Sequence, residues 1–190
     1  MEEIEVKFLN IDVEEIESKL KSLGAKKEFD QKYRRKVYDY PDLRLNDQGA
    51  WIRVRDEGSQ VTMGFKQRKM SDDGANDVGM KEIEIKVDSF DKAWQFLEAV
   101  GLKQKFYEEN RRVRWTLDTI EFDIDYWPLL KPYLEIEAGS WKDIDKAIKI
   151  LDLNPDDKKI FSTFQVYQLE GINELEYDIL TFDSQIKKSN

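Results

Sequence analysis

Over much of this chain polar and apolar residues alternate one by one. Residues 3–9 place Glu3, Glu5 and Lys7 on one side and Ile4, Val6 and Phe8 on the other, which predicts a half-buried strand. The period then becomes helical. Val13, Ile16, Leu20 and Leu23 share a face, Asp12 suits the N-cap, Glu14 and Glu15 fill the first turn and Gly24 ends the segment. An extended stretch over 26–40 stops at Pro41. Segments 49–58 and 60–69 predict a hairpin joined at Gly58-Ser59, and residues 70–79, without any period, predict a loop. Two more alternating strands meet at Asp118-Thr119. Ser162 is a suitable cap for a short helix over 163–170 ended by Gly171, 177–182 reads as a short strand or packing segment, and 183–190 is expected to fray.

The pattern repeats. Residues 82–102 follow the same course as 3–25: Glu-Ile-Glu-x-Lys, an apolar-striped helix, then a glycine, Gly24 or Gly101. A pair of arginines follows each glycine, Arg34-Arg35 and Arg111-Arg112. This order predicts an internal duplication of 3–40 and 82–117, with a partial third echo over 133–153 and an extension over 154–190.

Collected, the charged faces are Glu3/Glu5/Lys7, Arg53/Arg55, Lys66/Arg68, Glu82/Glu84/Lys86, Arg112/Arg114, Glu121/Asp123/Asp125 and Glu135/Glu137, each opposite an apolar face. Two arrangements fit. An open sheet can wet its charged face, or the sheet can close on itself with the charges inside and the helices outside. Closure removes exposed edges and leaves room for one small ligand. An interior of both signs suits a ligand that also carries both, such as a polyphosphate with a divalent cation.

Composition narrows the chemistry. The 190 residues contain neither cysteine nor histidine, so thiolate nucleophiles, zinc–sulfur sites and Ser-His-Asp schemes are excluded. A bound metal must rest on oxygen ligands, which points to Mg²⁺, Mn²⁺ or Ca²⁺. The net charge of −9 argues against a duplex nucleic-acid partner. No apolar run is long enough for a membrane span and no signal peptide is visible, so a cytoplasmic protein without membrane attachment is expected.

The ordered charged strands resemble those of the CYTH domain, or triphosphate tunnel metalloenzyme, family, which includes class IV adenylyl cyclases, thiamine triphosphatases and inorganic triphosphatases. The resemblance runs through Glu3-x-Glu5-x-Lys7, the pair Arg53 and Arg55, Lys66 in "VTMGFKQ", Arg112 and Arg114 in "NRRVRW", and the acidic strands of "EFDIDYWPLLKPYLEIE", over roughly residues 1–153. It implies an α+β fold: a closed eight-stranded antiparallel β-barrel, a triphosphate tunnel with a charged interior and helices packed outside. It further implies that Lys7, Arg53, Arg55, Lys66, Arg112 and Arg114 hold the phosphates. Glu3, Glu5, Asp125, Glu135 and Glu137, with Asp123 in the same row, would hold Mg²⁺ or Mn²⁺, and Glu3, Glu5 and Lys7 would be catalytic. The chain departs from the family at Glu2, where a histidine is frequent, at Asn110, where a lysine is usual, and in "WPLLKPYLEIE", which replaces a more glycine-rich turn of some cyclases.

The function expected from this is metal-dependent hydrolysis of the terminal phosphate of inorganic, nucleoside or thiamine triphosphate. The alternatives are a class IV adenylyl cyclase making cyclic AMP and pyrophosphate, and a non-catalytic polyphosphate- or nucleotide-binding module. Some relatives pair, so a homodimer is compatible with the resemblance. Glu82, Glu84 and Lys86 repeat the hallmark, but in the second copy they read as neutralising neighbouring arginines. Trp94 and Trp141 read as packing residues, and Tyr38 and Asp39 as turn formers.

Overall fold

The structure is a computed structural model that describes residues 4–70 and 77–189. In chain order the elements are β1 (Ile4–Phe8), α1 (Val13–Ser22), β2 (Lys26–Asp39), α2 (Arg44–Asp47), β3 (Ala50–Asp56), β4 (Val61–Met70), β5 (Asp77–Val87), α3 (Phe90–Ala99), β6 (Lys103–Leu117), β7 (Ile120–Tyr126), β8 (Tyr133–Ala138), α4 (Trp141–Ile150), α5 (Thr163–Leu169), β9 (Tyr177–Leu180) and β10 (Gln185–Lys187). The α+β class and the antiparallel pairing match the expectation. Among the described residues hydrogen bonds do not close the sheet: their order starts at β1 and ends at β5. The chain forms two compact units, Met1–Lys32 with Asn110–Glu174, and Tyr33–Glu109 with Leu175–Asn190. The long strands β2 and β6 contribute residues to both.

In the first unit the strand order is β1-β8-β7-β6. Val6, Phe8, Val113, Trp115, Phe122, Ile124, Leu134 and Ile136 project from one face and pack with Ile16 and Leu20 of α1 and Ile144, Ala147 and Ile148 of α4. Local chemistry starts each helix. The Asp12 carboxylate accepts from the Glu15 N–H at 3.0 Å, and the Ser140 hydroxyl accepts from the Asp143 N–H. At the end of α1 the chain turns through Gly24 at φ +80°, a conformation that costs glycine no Cβ clash. On the other side of β1, Lys7 and Lys159 exchange two backbone hydrogen bonds of 2.8 and 2.9 Å. A Ser162–Gln165 capping box opens α5, whose buried Tyr167 donates to the Pro128 carbonyl at 2.9 Å.

In the second unit the order is β2-β3-β4-β5, with β9 parallel to β6 at Tyr107 and Glu108. Tyr38 and Val54 pack with Phe90, Ala93 and Leu97 of α3. Lys36 lies 3.7 Å above the Trp94 ring, which fixes α3 on the same face. Asp39 is fully buried. Its carboxylate accepts from the N–H groups of Tyr40, Leu45 and Asn46, so it organises the turn into α2, as its reading as a turn former anticipated.

Three local expectations change. The segment 183–190 is not all frayed: Gln185–Lys187 form β10, held to β9 by a turn in which Thr181 and Ser184 bond to each other. Part of the loop expected over 70–79 is strand instead, because Met70 pairs with Asp77 and Lys69 with Gly79; residues 71–76 lie outside the described residues. Trp141 is half exposed, with the Lys158 ammonium 5.0 Å from its ring centroid.

Two predictions test this packing. Leu20 is wholly inaccessible, so Leu20→Ala should cost about 2–5 kcal/mol, measured from urea unfolding midpoints. Arg111 donates two 2.7 Å hydrogen bonds to Asp30, and with burial working against it this fork holds the Asp30 carboxyl down at about 2. That stabilisation is present above the usual value of 3.8 and is lost as pH falls through 2. Because the pair is about one-third exposed, its size is under about 1 kcal/mol. Arg111→Met should therefore flatten the stability–pH curve between those limits.

Candidate active site

Register builds the charged face of the first unit. Glu5 of β1 lies opposite Glu137 of β8, and Glu137 opposite Glu121 of β7. One step along, Lys7, Glu135, Asp123 and Arg114 form a row across four strands. The next step holds Tyr133, Asp125 and Arg112. A wetted open face would leave these groups exposed. Instead Lys7 is 2%, Asp123 1%, Asp125 1% and Glu135 5% exposed. The charges are thus largely withdrawn from water, and only exact pairing makes that tolerable.

The pairs are close. The Lys7 Nζ is 2.8 Å from Glu135 Oε2 and also contacts Glu5. Arg112 donates from Nε and Nη2 to the two Asp125 oxygens at 2.8 and 2.6 Å, and reaches Asp123 at 2.7 Å and Glu135 at 3.1 Å. Arg114 forks onto Asp123 at 2.8 and 2.6 Å and contacts Glu121. Burial alone would lower the Lys7 pKa, but Glu135 and Glu5 outweigh it, so Lys7 is held protonated. Burial would raise Glu135, yet Arg112 and Lys7 bring it down to about 2. Glu5 goes the other way, raised by burial and by the Glu135 charge.

Six carboxylates on this face meet three cations, so the balance is negative. Asp123, Glu135 and Glu137 each offer an oxygen within 4.8 Å of the others. Three hard oxygen donors with surplus negative charge fit Mg²⁺ or Mn²⁺, which complete their shells with water and phosphate oxygens. Asp125 and Glu5 are not in that cluster. Both oxygens of Asp125 are taken by Arg112, so in this structure Asp125 anchors a guanidinium. Glu3 lies outside the described residues.

The second unit carries a basic row. Arg35 is opposite Arg55, and Arg55 opposite Thr62; Arg53 is opposite Gly64, and Gly64 opposite Glu84; Trp51 is opposite Lys66, and Lys66 opposite Glu82. Gly64 leaves the space through which Glu84 reaches Arg53 at 3.2 Å; a Cβ there would stand 3.1 Å from the Ile83 carbonyl oxygen and 3.5 Å from the Glu84 stem. Lys66 lies 2.8 Å from Glu82 and Arg35 3.4 Å from Glu108, while Arg55 contacts Glu57. Burial, then Arg55 and Arg35, push the Arg53 pKa down to about 10. Burial and Arg53 also lower Lys66. These cations are crowded beyond what their partners compensate, and an added anion would be stabilising there.

The structure thus brings together Glu5, Lys7, Arg112, Arg114, Asp123, Asp125, Glu135 and Glu137 in one unit, and Arg53, Arg55 and Lys66 in the other. Two participants were missed. Glu108 lies on β6, which begins at Lys103; alternation continued back from Arg112 reaches it through Asn110. Tyr133 is buried in register with Asp125, its hydroxyl 3.1 Å from the Thr163 hydroxyl and its ring centroid 6.0 Å from Lys7 Nζ. Nothing in a lone tyrosine at a strand start signals that contact.

With this geometry in place, the chain belongs to the CYTH domain family, whose model matches residues 1–159. No curated protein is significantly similar to it in sequence. Among solved structures, the PH1012 protein of Pyrococcus horikoshii OT3 is similar at 21% identity and a TM-score of 0.66, over 86% of this chain and 98% of that one. A candidate adenylate cyclase of Vibrio parahaemolyticus aligns at 13% identity and a TM-score of 0.67, over 87% and 97%. A candidate adenylyl cyclase from Hippeastrum, described as having a dominant triphosphatase activity, aligns at 14% identity and a TM-score of 0.61, over 92% and 98%. The chain shares their fold. Among the described residues no helix is long and apolar enough to cross a membrane.

The difference between a buried anchor and an exposed ion-pair partner on this face is testable by stability. Asp125→Asn removes the carboxylate from a buried guanidinium pair and should cost about 3 kcal/mol. Glu121→Gln, at a carboxylate 37% exposed, should cost under about 1 kcal/mol. Chemical denaturation of the two variants against the parent protein measures both.

Proposed function

We propose that this protein is a divalent-metal-dependent enzyme that hydrolyses the terminal phosphate of a triphosphate substrate. The observation that supports it best is the largely buried row Lys7–Glu135–Asp123–Arg114, in which two adjacent carboxylates are flanked by two cations where a metal–phosphate complex needs both. Asp123, Glu135 and Glu137 would hold the Mg²⁺ or Mn²⁺, with Glu3 added by the family resemblance, while Asp125 holds Arg112 and Glu5 is left for proton transfer. When bound, the cation neutralises phosphate oxygens and acts as a Lewis acid.

The side chains have distinct parts in this reading. Lys7, kept charged by Glu135 and Glu5, donates from Nζ to a phosphate oxygen. Arg112 and Arg114 are oriented by their aspartate forks and stabilise charge that builds on the phosphoryl oxygens. Glu5, raised above the ordinary carboxylate value, is the member of the face best suited to accept a proton from the attacking water. The family resemblance also gives Arg53, Arg55 and Lys66 phosphate-binding roles. Burial of the face limits bulk water and strengthens each of these interactions.

Cyclisation of ATP is the second reading, favoured by the candidate cyclases among the similar structures. Hydrolysis is preferred because it needs only phosphate and metal contacts, and the Hippeastrum protein, which shares the fold, is itself described by a dominant triphosphatase activity. The test is incubation with Mg²⁺ or Mn²⁺ and, separately, inorganic triphosphate, ATP and thiamine triphosphate, with products resolved by anion exchange. Orthophosphate release, abolished in Glu5→Gln, is the expected result. Glu137→Gln should also weaken Mn²⁺ binding at least about tenfold by calorimetry. Cyclic AMP with pyrophosphate would establish the cyclase instead, and binding without turnover a non-catalytic module.

A further inference from the structure

The basic row of the second unit is already met by anions of its own sheet. Lys66 pairs with Glu82, and Arg53 with Glu84, the two carboxylates of the repeated Glu-x-Glu-x-Lys segment on β5. We propose that Glu82 and Glu84 are displaceable internal counter-anions: they occupy Lys66 and Arg53 until a phosphate chain takes their place, and so set how much negative charge a ligand must carry to bind. This rests on the triphosphate reading of the same row.

Exposure separates these pairs from structural ones. The cations are nearly enclosed, with Lys66 17% and Arg53 10% exposed, whereas their partners Glu82 and Glu84 are 40% and 29% exposed. Each glutamate can therefore swing into water, where a carboxylate is well solvated, while its cation stays in place. The Arg35–Glu108 pair is built differently. Both members are enclosed, at 12% and 8%, and displacing Glu108 would strand a charge. The route from Glu84 to Arg53 also passes over Gly64, where no side chain obstructs its withdrawal. Among the described residues β5 pairs with β4 alone, so only one ladder fixes the strand that carries both glutamates.

The exchange selects by charge. A small anion such as orthophosphate carries at most about two charges near neutral pH and cannot replace both carboxylates at once. A chain of three phosphates meets both cations at once with several charges and outcompetes both carboxylates. Glu82 and Glu84 are then specificity-determining residues that favour triphosphates over orthophosphate and similar small anions.

The test is binding of inorganic triphosphate and, separately, orthophosphate by calorimetry, in EDTA and low salt, to the parent protein, Glu82→Gln, Glu84→Gln and the double variant. Each single change removes one negative charge near the phosphates and should tighten triphosphate binding about tenfold. Orthophosphate binding should become measurable in the double variant. Glu82→Asp, which keeps the charge on a shorter stem, should stay within about threefold of the parent. Unchanged or weaker triphosphate binding in both Gln variants, with thermal unfolding as in the parent, would overturn the proposal by making the glutamates structural clasps. If Glu84→Gln fails to fold, Glu82→Gln decides alone. Tighter binding in the variants without hydrolysis by the parent protein sinks the enzymatic reading and leaves this one. Hydrolysis with unaltered affinities does the reverse.

Discussion

A carboxylate removed from water needs a counter-charge within a few ångströms, and that need governs the charged face of the first unit. Asp123 and Asp125 are as inaccessible as the isoleucines behind them on β7. They are tolerated because strand pairing delivers Arg114 and Arg112 directly opposite, with guanidinium forks that match both oxygens. A one-residue slip of β6 against β7 would place Val113 and Trp115 against the carboxylates and the arginines against the core. The charge pairs and the apolar core therefore enforce the same register, and each protects the other.

The two faces solve this problem with different margins. In the first unit the carboxylates outnumber their cations, so added positive charge would stabilise the set. In the second unit burial, and then the neighbouring cations, depress the basicity of Arg53 and Lys66 despite their glutamate partners.

Alternation made most of the charged set legible. Glu5, Lys7, Arg53, Arg55, Lys66, Arg112, Arg114, Asp123, Asp125, Glu135 and Glu137 all follow from counting every second residue, because a strand has only two faces. Helix starts were legible for a similarly local reason: Asp12 and Ser162 bond to N–H groups three residues on. What pattern could not supply was partnership across strands. Nothing in the order of residues says that Asp125 is consumed by Arg112 while Glu137 joins Asp123 and Glu135. Glu108 escaped because β6 runs longer than its most regular part, and β10 because its pairing depends on a turn chemistry at Thr181 and Ser184 that lacks a glycine or proline marker.

The position of β1 has a consequence for how the molecule comes to be made. Its neighbours are β8 on one side and Lys159 on the other, both from the far part of the chain. During synthesis β1 leaves the ribosome with neither edge satisfied and waits for residues 133–159 before either partner exists. Such a high contact order makes closure of this region a late and slow event. Lys7 would reach its working position only at the end of folding, so a nascent or truncated chain cannot display a finished site before its structure is complete.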